Sequence, residues 1–167
     1  MLFYSPSQEK VTIGVDKFTN PIVNLSLCNC INFIAENKAT YSIQYVMDDE
    51  IVLHFFERDS QYEAELERLF DAFALSQTAQ FYTPQNRQYT DNGVLKNNPT
   101  VNLERIKTIE FVSDRNTGSF EIQYKFLSGE MQRHIFDSNE DLVAEKKYLL
   151  PLAGVLLPDK RQHKMVQ

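Results

Sequence analysis

The sequence predicts an α+β fold made twice: an internal duplication of a unit of three or four antiparallel strands followed by one helix, the two units packed as a pseudo-symmetric pair. Three observations carry the prediction. The hexapeptide Asn20-Pro21-Ile22-Val23-Asn24-Leu25 returns as Asn98-Pro99-Thr100-Val101-Asn102-Leu103. The echo continues on both sides at nearly constant spacing. In each copy, period-two alternation gives way to helical spacing at the same place.

Upstream, Phe3-Tyr4-Ser5-Pro6 matches Phe81-Tyr82-Thr83-Pro84 at a spacing of 78, and Ile31, Phe33, Ile34 and Glu36 match Ile109, Phe111, Val112 and Asp114 at the same spacing. One extra residue within 114–118 moves the spacing to 79, so that Tyr41, Ile43, Gln44 and Tyr45 meet Phe120, Ile122, Gln123 and Tyr124. A second insertion near 127–129 takes it to 80, where His54-Phe55-Phe56-Glu57 meets His134-Ile135-Phe136-Asp137. Ala64, Glu65 and Leu69 then meet Ala144, Glu145 and Leu149. Both insertions fall in expected hairpin turns, where extra residues cost little. The expected organisation is a first unit over 1–78, a second over 79–157 and a basic tail over 158–167.

Taken in order, Lys10 to Val15 alternates weakly and reads as a strand, and its counterpart, Gln88 to Leu95, contains the turn signal Asp91-Asn92-Gly93. From Val23 the alternation sharpens: Val23, Leu25, Leu27, Ile31, Phe33 and Ala35 share the buried parity, while Cys28 and Cys30 share the wetter one. Asn29 breaks the pattern, as do Arg105 and Lys107 in the second copy. Glu104 to Lys107, and Leu27 to Cys30 with it, therefore read as a bend or bulge between two strands.

The next strand is the most regular: Tyr41, Ile43, Tyr45 and Met47 face one way, as do Phe120, Ile122, Tyr124 and Phe126. Asp48-Asp49-Glu50 and Ser128-Gly129-Glu130 turn the chain into last strands at Ile51 to Glu57 and Met131 to Asp137. A helix follows in each copy. Tyr62, Leu66, Leu69, Phe70 and Phe73 form its apolar face in the first, behind a capping box of Ser60 with Glu63. Leu142, Leu149 and Leu150 form it in the second, where Lys146 interrupts the face and Pro151 marks a stop. Asn-Pro sets the turn before each main strand, with Val and Leu pointing inward.

Composition excludes several classes. With 43% apolar and 24% charged residues the chain is globular rather than disordered. No apolar run approaches the ~18 residues of a membrane span and no leader pattern opens it, so a cytoplasmic protein with no membrane partner is expected. Charge divides unevenly: residues 1–78 hold 5 basic and 12 acidic residues, a net of −7, and 79–167 hold 12 and 11, a net of +1.

The strand-then-helix order, made twice, resembles the Whirly and Pur-alpha type of single-stranded nucleic-acid-binding proteins. That resemblance implies two interlocking units and a single-stranded nucleic-acid partner. The pattern Val-Asn-Leu, Ile-x-Phe, Tyr/Phe-x-Ile-x-Tyr and acidic helix start, over 23–70 and 101–150, is also similar to small uncharacterised bacterial and phage proteins, and this likeness implies no activity.

The expected function is therefore non-catalytic binding, with no cofactor and no metal. Arg105, Lys107, Arg115, Lys125 and Arg133, with the tail residues Lys160, Arg161, His163 and Lys164, are the candidate nucleic-acid contacts. The bland alternative is solvated surface charge. If the partner is a protein instead, as for a phage-encoded inhibitor or adaptor, the acidic first unit is the docking surface, with Asp48, Asp49 and Glu50 as candidates. The helix carboxylates read as solvated. His54 and His134 read as structural, although a symmetry-related pair could in principle meet. Cys28 and Cys30 read as reduced structural thiols. The repeated aromatics read as core.

Overall fold

A computed structural model describes residues 2–36, 40–75 and 80–154. The fold is α+β. The first half runs β1 (Phe3–Tyr4), β2 (Lys10–Ile13), β3 (Asp16–Thr19), β4 (Val23–Asn24), β5 (Cys30–Glu36), β6 (Thr40–Val46), β7 (Ile51–Phe56) and α1 (Asp59–Leu75). The second half repeats that order: β8 (Phe81–Tyr82), β9 (Gln88–Asp91), β10 (Val94–Asn97), β11 (Thr100–Asn102), β12 (Ile106–Asp114), β13 (Ser119–Phe126), β14 (Met131–Phe136) and α2 (Asn139–Leu152).

The weakly alternating opening segments are two-stranded hairpins rather than single strands. β2 pairs with β3, and β9 with β10. The second turn places Asn92 at φ 51° and Gly93 at φ 78°, the double left-handed geometry that Asn-Gly supplies most cheaply. The expected bend after the Asn-Pro hexapeptide is a single 3₁₀ turn in each half, Leu25–Leu27 and Leu103–Arg105. Asn24 and Asn102 cap these turns, accepting from the N–H of Ser26 and Glu104 at 3.1 Å each.

That turn resets the side-chain alternation. Leu27, assigned inward by parity, is half-exposed, while Cys28 lies outside the strand and is buried. Cys28 and Cys30 accordingly enter different core clusters instead of sharing a face. Helix starts also differ from expectation. α1 begins before Ser60, and the side chain of Gln61, not Glu63, reaches back to accept from the Arg58 N–H. In α2, Ser138 is the cap and accepts from Asp141 N–H. Pro151 does not end α2, which runs one residue further before Gly154 takes φ 66°. Proline so near the end removes few bonds, and the left-handed residue makes the stop.

The Asn-Pro pairs do more than turn the chain. Asn20 Nδ2 donates to the carbonyls of Gln8 (2.8 Å) and Phe55 (3.1 Å), and its Oδ1 accepts from Phe55 N–H at 2.8 Å. Asn98 makes the same three bonds to Asn86, Ile135 and Ile135 N–H at 2.9, 3.0 and 2.9 Å. Each carboxamide thus stands in for a strand residue on the outer edge of β7 or β14. The adjoining proline carbonyl accepts from the buried histidine two strands of sheet away in sequence: Pro21 from His54 Nε2 at 2.7 Å, and Pro99 from His134 Nε2 at 2.6 Å.

The halves are joined in one direction. β5, β6 and β7 form a sheet that β11 and β8 of the second half extend, in the order β7-β6-β5-β11-β8. β12, β13 and β14 form a separate three-stranded sheet, and among the described residues β4 pairs only with β1. Tyr45 and Ile43 fill one core, packed under α1 with Tyr62 and Leu69; Tyr124 and Ile122 fill the other with Leu142 and Leu149. Tyr41, Tyr45 and Tyr124 are buried and Phe120 is partly so, as core residues.

Replacing Asn98 with alanine strips two carbonyls and one N–H of their partner at a buried site. The expected loss is about 3 kcal/mol of unfolding free energy, read as a lowered urea midpoint with unchanged slope, and Asn20→Ala should behave alike.

Candidate functional site

The two buried histidines are committed to structure. A carbonyl only accepts, so Nε2 carries the proton in both histidines and Nδ1 is left to accept. It does so from Tyr45 Oη at 3.1 Å in His54, and from Tyr124 Oη at 2.9 Å in His134. Each ring is neutral, bonded within its own half and fully used. Burial pushes the His134 imidazole down to about 3, against a weaker upward pull from the Pro99 carbonyl, and it lowers His54 as well.

Two helix carboxylates expected in solvent are buried instead. Glu65 accepts from Tyr4 Oη at 2.6 Å and from Ser7 Oγ, and Glu145 accepts from Tyr82 Oη and from Gln85 N–H at 3.1 Å. They tie the first strand of each half to the helix that closes it. The correction has a physical reason: the carboxylates face a tyrosine delivered from about 60 residues away, which helical periodicity cannot report. Burial raises the Cys28 and Cys30 thiols to about 12 and 11, so both are protonated at neutral pH.

Of the predicted contact residues, Arg105 and Asp48 meet each other rather than a partner. Arg105 Nε donates to Asn29 Oδ1 and its Nη2 to Asp48 Oδ2, both at 2.7 Å. Asn29, buried despite being polar, also donates through Nδ2 to Asp48 Oδ1 at 2.9 Å. The amide of Asn29 and the Arg105 guanidinium hold the Asp48 carboxyl below its usual range. This triad fastens the second half to the first beside the β5–β11 pairing. The lapse in alternation at Asn29 and Arg105 therefore marks a joint, a reading that spacing alone did not offer.

Lys107, Arg115, Lys125 and Arg133 are exposed, as are Asp49 and Glu50. Arg133 pairs across the sheet with Gln123, two residue pairs along from Lys125 opposite Met131, so the two cations share the outer face of the second sheet. Glu110 and Glu121 lie on that face too, and Arg133 approaches Glu121 at 3.4 Å. The aromatics Phe111, Phe120, Tyr124, Phe126 and Phe136 have the opposite parity and pack in the core. Charges there are mixed, and the half-exposed Tyr89 of β9 lines a pocket with Glu121 and Arg133 at one end of the face. The tail residues Lys160, Arg161, His163 and Lys164 lie outside the described residues.

Two further features were not anticipated. A cavity of about 570 Å³ separates α1 from the 83–98 segment, lined by Phe33, Leu66, Phe70 and Arg87. The Arg87 guanidinium sits 4.1 Å over the Phe70 ring, and Tyr62 Oη, at its wall, is the buried side-chain polar atom without a partner among the described residues. The second feature is the edge of β12. β5 is bonded on both edges, by β6 and β11, whereas β12 is bonded by β13 alone among the described residues. Ile109 and Phe111 are half-buried there, while their counterparts Ile31 and Phe33 are buried.

No protein-family model, curated protein or solved structure matches this chain. Among the described residues, no helix is long and apolar enough to cross a membrane.

The two histidines make stability acid-sensitive. An unfolded histidine takes its proton near pH 6.5, but folded His134 does so only near 3, so the unfolded state binds protons first as pH falls. Stability is thus full above about pH 6.5 and declines below it, by up to about 2 kcal/mol at pH 5 from His134. Urea melts at pH 7 and 5 should show the decline, and it should shrink in His134→Gln. At the joint, Arg105→Ala and Asp48→Ala should each lower Tm, because the first leaves Asn29 Oδ1 without its donor and the second leaves Asn29 Nδ2 without its acceptor. An unchanged Tm in both would mean that the triad does not hold the joint.

Proposed function

We propose that the chain is a non-catalytic protein-interaction module, built from two copies of one unit, that binds an extended polypeptide segment along the edge of β12. The observation that carries this reading is the difference between the two equivalent strands: β11 closes the β5 edge, and nothing among the described residues closes the nine-residue β12 edge. Open edges of that length are normally covered or blunted. Adding a strand there supplies main-chain hydrogen bonds, and the half-buried Ile109 and Phe111 supply apolar contact. The duplication is supported bond by bond: the Asn-Pro clamp, the Tyr-His-Pro chain and the Tyr-Glu tie recur at equivalent positions. The non-catalytic reading is supported by the commitment of both histidines and both buried glutamates to internal bonds.

A second reading, single-stranded nucleic acid on the outer face of β12–β14, draws support from the exposed Lys107, Lys125 and Arg133 and from the Whirly-type resemblance. The interleaved Glu110 and Glu121 weigh against it.

A synthetic peptide copying residues 97–105, the segment that lines the β5 edge, is a direct probe. In excess it should slow amide hydrogen exchange across β12, and unchanged exchange there would sink the strand-addition reading. A labelled single-stranded oligonucleotide at low salt should show no mobility shift. A shift that fades with salt and disappears in Lys125→Glu with Arg133→Glu would transfer the assignment to nucleic acid.

A further inference from the structure

We infer that the occupant of the β12 edge is the β4 segment of a second copy of this chain, so that copies associate head to tail. The inference rests on the strand-addition reading and goes beyond it by naming the partner. Its template is the joint already present inside one chain.

At that joint Thr100 pairs with Ile31 and Val101 with Cys30. Asn102 N–H donates to the Asn29 carbonyl, and Asn102 Nδ2 donates to the Cys28 carbonyl, both at 2.9 Å. The positions equivalent to the donor side are Ile22, Val23 and Asn24, and those equivalent to the acceptor side are Ile106, Lys107 and Ile109. Both sets are left over. β4 pairs with β1 and with nothing else, as β12 pairs only with β13, among the described residues. The chain therefore carries one surplus donor edge and one surplus acceptor edge, of the same two kinds that meet in its middle.

Exposure follows that division. Thr100 is 0% exposed beneath β5, while its counterpart Ile22 is 65% exposed. Asn24 holds its own 3₁₀ turn through Oδ1, as Asn102 does. The Nδ2 that in Asn102 crosses the joint has no partner in Asn24 among the described residues.

The side chains flanking the joint differ in a matched way. Arg105 ends its 3₁₀ turn, and Leu27 ends the equivalent one. Met47 N–H donates to the Glu50 carbonyl and Phe126 N–H to the Glu130 carbonyl, both at 2.9 Å, which sets Asp48 and Leu127 at the same turn position. The Arg105–Asp48 ion pair of the inner joint is thus replaced at the outer one by two leucines, 50% and 63% exposed. Had only one member changed, a charge would face an apolar side chain. Both changed, and Leu27 and Leu127 form an apolar contact across the contact between copies. Because the two surfaces differ, the association is heterologous and adds copies at either end, as a ring or an open chain.

The test is sedimentation velocity on the full chain over a wide concentration range. Mass should grow with concentration. Ile22→Glu with Leu27→Glu disables the donor end, and Lys107→Glu with Leu127→Glu disables the acceptor end; all four positions are exposed, and thermal melts check folding. Each variant alone should be monomeric, and an equimolar mixture should give a one-to-one complex, since each retains the surface the other has lost. Hydrogen exchange of the unaltered chain, which needs no variant, should show β4 and β12 amides slowing together as concentration rises. A monomer at every concentration overturns self-association, as does a dimer that the mixed variants fail to restore. If the 97–105 peptide still protects β12 in that case, strand addition stands and only the partner named here falls. If the peptide also has no effect, both fall.

Discussion

Each half of this chain depends on an asparagine side chain that imitates a strand. A carboxamide presents one donor pair and one acceptor in the geometry of a peptide group, so Asn20 and Asn98 satisfy both the N–H and the carbonyl of a residue on the outer edge of β7 and β14. Proline next in sequence has no N–H to satisfy, and its carbonyl is free to accept from a histidine. The two residues therefore hold the last strand of each sheet, seat the buried imidazole in one tautomer and direct the chain into the main strands. A tyrosine on the neighbouring strand completes the imidazole's bonding, so a polar chain is buried with its hydrogen bonds satisfied.

Around that clamp the two halves are made alike but are not placed alike. Among the described residues, the second lends two strands to the first and borrows none in return. Asn29, Arg105 and Asp48 sit where this loan is fastened. Asn29 is buried while Arg105 and Asp48 reach solvent, and the side chain of each bonds to the other two. Buried polar groups fastened in this way give a joint one register, because a shifted register would leave the Asn29 amide without partners.

Much of this was written in the sequence, and what was not has definite physical causes. The regular alternation of Tyr41 to Met47 and of Phe120 to Phe126 reported the central strands, since both are flanked by partners that bury one face. The bend after the hexapeptide was legible from the lapse at Asn29 and Arg105, but its 3₁₀ geometry was not, and so Leu27 was assigned to the wrong side. Glu65 and Glu145 look like any exposed helix carboxylate, because the tyrosines that bind them are distant in sequence. The repeated hexapeptide was the strongest signal, and it pointed to Asn20 and Asn98, which make the same bonds. It could not say which strand edges would be shared, because identical motifs are compatible with a mutual exchange or with a one-way loan.

The loan has a consequence during synthesis. The first half is complete once α1 has emerged at Leu75, but β11, which closes its β5 edge, begins only at Thr100. At ordinary elongation rates of roughly 5–20 residues per second, those two events are separated by about one to five seconds. Throughout that interval the nascent chain has no β11 to cover the β5 edge. The Asn29 carboxamide and Asp48 then face water in place of Arg105, and a polar, hydrated patch beside an open strand is a poor surface for indiscriminate pairing. Two of the three residues that fix the finished joint, Asn29 and Asp48, thus flank its unfinished half.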